Sequence, residues 1–166
     1  VRYAREAGEK ASARSAHRAA MEHFEQALTA LKHLPDSRAT AEQAIDLRLD
    51  LRHALMPLGE YRRTVDYMRE AEDLAQALDD QRRLGLISSH LANYLHLMGT
   101  LDRAIEHGNR ALDIAATLQD RPLEVVATAY LAMTYQTMGD YRRAVNLARA
   151  NLGTLKGPLA RERVVG

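Results

Sequence analysis

Apolar residues recur three and four positions apart along most of the chain. Leu47, Leu51 and Leu55 form one such stripe, and Ala104, Ala111 and Leu118 form another, with Ile105 and Leu112 beside them. This spacing gathers the side chains on one face of a 3.6-residue turn and predicts amphipathic helices. Thr40 with Gln43 three residues later reads as a capping box, Asp80 as a helix start, and Asp120 with Pro122 in the first turn as another start. Gly59, Gly99 and Gly139 read as stops, because glycine accepts the left-handed conformation that closes a helix. The predicted helices pair as 3–12 with 15–33, 41–57 with 60–78, 81–98 with 100–118, and 122–138 with 140–153. Residues 157–166 are expected to open a further helix.

The stop glycines stand 40 residues apart, and their surroundings keep step: Tyr61, Leu101 and Tyr141 follow at two, and Thr64, Ala104 and Ala144 at five. Upstream, Arg52, Ala92 and Ala132 precede at seven, and Leu55, Leu95 and Tyr135 at four. An earlier copy has Ser15 in the glycine place, flanked by Gly8, Ala11, Ala20, Phe24 and Ala27, and is joined to the second copy by a linker four residues longer. A fixed period of this size marks units that cannot bury their apolar faces alone and must stack. The expected fold class is all-α, a right-handed α-α superhelix of about four helix-turn-helix repeats at 1–34, 41–78, 81–118 and 122–153, read as a single domain over 1–166. Ala104 and Ala144 are expected in the tight contact between paired helices. Gly108 interrupts helix 100–118 where Phe24 and Met68 stand in earlier copies, so a bulky residue from helix 122–138 is expected to fill the space.

A small residue, a bulky one three later, a Gly-x-Tyr turn, then Ala, a bulky residue and Ala again resembles the tetratricopeptide repeat. The clearest copies are "LAMTYQTMGDYRRAVNLARANL" and "LANYLHLMGTLDRAIEHGNRAL". Arg52, Thr64, Gly108 and Asn151 depart from the pattern, and the 40-residue period exceeds the ~34 of the usual repeat. A narrower resemblance, on "HLPDSRATAEQAIDLRLDLRHALMPLGEY" and the stretch from Leu74 to Leu112, is to the carboxy-terminal repeat region of bacterial multidomain signalling proteins with an adenylate/guanylate cyclase domain and an AAA-type ATPase domain. It implies a cytoplasmic regulatory or sensory arm, and places no cyclase or ATPase chemistry in these 166 residues. Because Val1 is not an initiator methionine, the chain is expected to be a piece of a longer protein.

Composition narrows the chemistry. Without cysteine there is no disulfide framework and no thiolate metal site. No apolar run approaches the ~20 residues of a membrane helix. A net charge of +1 gives no global attraction to nucleic acid or acidic lipid. No phosphate loop, dinucleotide fingerprint, HExxH or GxSxG motif is present, so neither catalytic residues nor a cofactor are expected. His90 and His96 come nearest to a metal pair, but their spacing does not put them on one helical face. Arg62–Arg63 and Arg142–Arg143 read as solvated helix surface, since Glu60, Asp66, Asp102 and Asp140 accompany them.

Function is therefore expected from shape. In tetratricopeptide arrays the first helix of each pair lines the concave surface, and the positions three, six and nine before each turn glycine would project into it. These are Asp50, His53, His90, Asn93, His96, Tyr130, Met133 and Gln136, with Met56 beside them. The set is acidic and imidazole-rich at one end, apolar and amide-bearing at the other, which suits an extended peptide or a helix. The implied partner is a protein or peptide, the protein's own upstream domains included, with no nucleic acid and no membrane. The chain is expected as a monomer or weak homodimer. The alternatives are a structural or oligomerisation segment, or the repeat part of a transcription regulator.

Overall fold

The computed structural model describes residues 1–154, and the helix expected from 157 lies outside the described residues. Described secondary structure is entirely helical: α1 (Arg2–Ala13), α2 (His17–Leu31), α3 (Arg38–Leu55), α4 (Tyr61–Ala77), α5 (Gln81–Leu97), α6 (Leu101–Leu118), α7 (Arg121–Thr137) and α8 (Tyr141–Thr154). The chain divides into two compact units, Val1–Asp80 and Gln81–Gly166, at the junction between the second and third predicted repeats.

In the first unit α1, α2, α3 and α4 pack in succession, and the first helices of the two pairs, α1 and α3, also touch. Phe24, Leu28, Leu31, Leu47, Leu51 and Leu55 form its core, with Ala20, Ala27 and Ala54 letting the backbones approach. The second unit repeats the plan with α5 to α8, α5 lying against α7. Its buried residues include Ile87, Leu91, Tyr94, Leu95, Ala104, Ala111 and Leu131. Each fully buried aliphatic side chain contributes about 1.5–3 kcal/mol, so these stripes hold the pairs together.

The turns explain the period. Left-handed backbone occurs at Gly59, Asp79, Gly99, Gln119 and Gly139, one residue in every 20, and earlier at Ser15. After each, the next N–H donates to the carbonyl five residues back: Glu60 to Leu55 at 3.2 Å, Asp80 to Ala75 at 2.9 Å, Thr100 to Leu95 at 2.8 Å, Asp120 to Ala115 at 2.9 Å and Asp140 to Tyr135 at 2.9 Å. This closure satisfies a carbonyl that the helix end would leave unpaired. The 40-residue repeat is thus two similar 20-residue steps, of which glycine marks only one.

One start differs from expectation. α3 begins at Arg38, three residues ahead of the predicted position, because Ser37 rather than Thr40 is the cap. The Ser37 hydroxyl accepts from the Thr40 N–H at 3.1 Å while the Ser37 N–H donates to Thr40 Oγ1 at 2.9 Å, so the box closes between those two residues. Asp120 behaves as predicted, its carboxylate accepting from the Leu123 N–H at 3.1 Å with Pro122 in the first turn. Two departures from the repeat pattern are accommodated by hydrogen bonds. Buried Thr64 donates its hydroxyl to the Glu60 carbonyl at 3.0 Å, and the Asn151 amide donates to the Val125 carbonyl of α7 at 2.9 Å.

Candidate functional site

The predicted binding residues fall in both units. In the first, Asp50 and His53 stand three apart on α3 and so share a face. Asp50 is half-buried and lies 2.9 Å from the Arg5 guanidinium of α1. Burial pushes its carboxyl above the ordinary carboxylate range, and the Arg5 charge pulls the other way. His53 is open to solvent at its edge, yet its Nε2 sits 2.7 Å from Nη2 of the buried Arg52. Desolvation, then the Arg52 charge, lowers its pKa to about 4. The ring is therefore neutral near pH 7 and accepts from Arg52, so this face of α3 offers a carboxylate and an uncharged imidazole.

In the second unit α5 carries His90, Asn93 and His96, and α7 carries Tyr130, Met133 and Gln136. His90 and Asn93 are only 6% and 8% exposed, which corrects the expectation of a freely solvent-facing row: only the rim of each reaches the surface. His96 and Tyr130 are half-buried, while Met133 and Gln136 are exposed. The His96 Nδ1 is buried with no hydrogen-bond partner among the described residues. Met133 and Gln136 meet in one cleft of about 300 Å³, where Ala132 of α7 faces Tyr141, Ala144, Val145 and Ala148 of α8. No group of three or more His, Asp or Glu side chains positioned to hold a metal occurs among the described residues.

The second helices carry networks that sequence spacing could not show. Arg63 of α4 pairs with Glu25 of α2, and Tyr67 donates its hydroxyl to the same carboxylate at 2.8 Å. Arg143 lies 3.3 Å from Asp140 with its guanidinium 5.3 Å from the centre of the Tyr135 ring. Arg63 and Arg143 are thus each held by partners within the chain. A second cleft, of about 370 Å³, lies beside the α2–α3 linker among Leu28, Leu31, Leu34, Ala41, Ala44 and Leu74. Its one sequence signal is the four-residue lengthening of the first linker.

Residues 83–150 match the family model of the tetratricopeptide repeat. No curated protein matches the chain. Among solved structures, the apo form of RapI is 12% identical, superposes with a TM-score of 0.82 and covers 92% of this chain and 42% of its own. A Rap protein complexed with competence and sporulation factor is 17% identical, with a TM-score of 0.74 over 90% of this chain and 41% of its own. Kinesin light chain TPR-like repeats from Podosopora anserina are 17% identical, with a TM-score of 0.75 over 93% of this chain and 74% of theirs. The chain thus spans about two fifths of the length of the Rap proteins. At these identities the likeness establishes the fold, a tetratricopeptide-like array of helix pairs. Stacked helix pairs of this kind present extended concave surfaces. No helix among the described residues is long and apolar enough to cross a membrane.

Proposed function

We propose that the chain binds a peptide or a short segment of a partner protein against the first helices of its pairs, and acts as the cytoplasmic regulatory arm of a bacterial multidomain signalling protein. The supporting observation is the pairing of α5 with α7, whose Asn93 rim, His96, Tyr130, Met133 and Gln136 offer amide, imidazole, hydroxyl and thioether groups on adjacent helices. Such a mixture suits a bound backbone with a few apolar anchors. The similar Rap protein complexed with competence and sporulation factor supports binding of a regulatory factor by this kind of array. The narrower resemblance to cyclase- and ATPase-bearing proteins supports the signalling context, and makes the protein's own upstream domains the first partners to try.

Panning a random peptide library on the purified chain tests the reading. Enriched peptides should bind saturably, lose at least tenfold in affinity to the Asn93→Ala, Tyr130→Ala double variant, and keep it with Arg103→Ala, Arg142→Ala on the second helices. Circular dichroism controls for folding. Loss with the arginine pair alone, or no saturable binder, rejects the site.

A further inference from the structure

The α2–α3 junction departs from the closure that the later junctions share. Leu31 stands 16 residues after Ser15, as Ala75 and Ala115 stand after Gly59 and Gly99. The carbonyls of Ala75 and Ala115 accept from Asp80 and Asp120 across a left-handed residue, whereas that of Leu31 accepts from Leu34 at 3.0 Å, and none of the described left-handed residues lies between α2 and α3. Two residues join α6 to α7, but here the chain crosses over residues 32–37. Between the end of α2 and the start of α3 this longer crossing borders the cleft of about 370 Å³. The Thr40 hydroxyl reaches the Pro35 carbonyl at 3.1 Å and the Ser37 carbonyl at 2.9 Å, which ties the crossing to the first turn of α3. The following first helix, α3, is already packed on α2, so the repeat plan supplies no further element for this space.

We infer that this cleft binds a free aliphatic α-amino acid, with its side chain on the apolar floor, its carboxylate toward Lys32 and its ammonium toward Asp36. The floor is Leu28, Leu31 and Leu74 with Ala41 and Ala44, which suits an aliphatic body. The charges select the class. Arg48 borders the cleft but is already engaged, Nη1 donating to the Ala44 carbonyl at 2.9 Å, and Nε and Nη2 to Glu70 at 3.0 and 2.6 Å. Exposed Lys32 and Asp36 also line the cleft, and neither makes an ion pair among the described residues. One cation and one anion are therefore open to a ligand. A simple carboxylate would meet Lys32 and also the like charge of Asp36, and a simple amine would meet the reverse. A zwitterion satisfies both. The volume lies at the lower end of small-molecule sites, about 300–1,000 Å³. Every lining residue belongs to the first unit, so this site is separate from the α5–α7 surface and the two readings fail separately.

Isothermal titration calorimetry of the whole chain tests this with four probes that differ by one feature at a time. They are L-leucine, glycine without the aliphatic body, isocaproate without the ammonium and isoamylamine without the carboxylate. L-leucine should bind saturably in the millimolar range or tighter, and each of the other three at least tenfold more weakly. Asp36→Asn and Lys32→Gln should each weaken L-leucine at least tenfold. Both positions are exposed, and circular dichroism controls for folding. The Asn93→Ala, Tyr130→Ala variant should bind L-leucine as the wild type does. Absence of saturable binding, or equal affinity for L-leucine and isocaproate, overturns the inference. Binding of L-leucine that neither Asp36→Asn nor Lys32→Gln weakens also overturns it, since the amino acid then sits elsewhere.

Discussion

Leu131 of α7 rests on Gly108 of α6, so close that a Cβ on the glycine would stand 2.6 Å from two of its side-chain carbons. An interior glycine costs a helix ~1 kcal/mol relative to alanine. Filling a packed space costs ~1–3 kcal/mol. The second effect governs here, because the carbons met include Cγ, near the root of a buried side chain. Gly108→Ala should therefore lower stability in urea melts despite its better helix propensity. Leu131→Ala should cost less in the Gly108→Ala background than in the wild type, a coupling that a double-mutant cycle would measure. Gly153 of α8 meets nothing within 4 Å, and Gly153→Ala should be neutral or stabilising. A gain in stability from Gly108→Ala would show that Leu131 moves aside at no cost.

The filled space over Gly108 was legible in the sequence because the column Phe24, Met68, Gly108 loses its side chain at a place where a core must stay dense. The eight described helices and their pairing were legible too, from apolar spacing and turn glycines. The left-handed residues Asp79 and Gln119 were not, because a side chain hides the conformation that glycine advertises. Nor was the burial of His90 and Asn93. Their positions relative to Gly99 place them on the helix, but how deeply they sit depends on packing around α5 that spacing does not encode.

The two alanines in equivalent places should respond unequally to enlargement. Ala104 is fully buried, and Ala104→Leu should cost ~1–3 kcal/mol by overpacking. Ala144 borders the open cleft, so Ala144→Leu should cost much less, within ~0.5 kcal/mol. Denaturant melts of both variants decide it. Equal losses would mean that α7 and α8 have no room at Ala144.

His53 gives the first unit an acid-sensitive contribution. Its pKa is about 4 in the folded chain against an ordinary 6.5, so between those values the unfolded chain binds a proton that the folded chain does not. Stability from this group therefore falls as pH drops from 6.5 toward 4, and changes no further below. Asp50 acts in the opposite sense: with its folded pKa raised, protonation favours the folded state and that contribution is lost as pH rises through the folded value. His53→Gln should flatten the fall in urea midpoint between pH 6.5 and 4. An unchanged slope would place the imidazole in open water, free of Arg52.

Gly99 and Gln119 close successive helices with nearly the same left-handed backbone, φ 76° and 54°, and opposite substitutions separate backbone strain from packing. A Cβ at Gly99 would meet nothing within 4 Å, so the cost of Gly99→Ala is conformational, ~1–2 kcal/mol. Gln119 already bears that strain. Gln119→Gly relieves it, while the added freedom of glycine in the unfolded chain offsets ~0.4–1 kcal/mol. The expected result is a loss near the full conformational cost for Gly99→Ala and a gain of about 0.5 kcal/mol for Gln119→Gly, the difference between these two effects. Because Asp120 N–H still reaches the Ala115 carbonyl in either case, amide exchange at Asp120 should stay protected in Gln119→Gly. Faster exchange there, or a net loss of stability, would mean that the Gln119 side chain itself stabilises the turn.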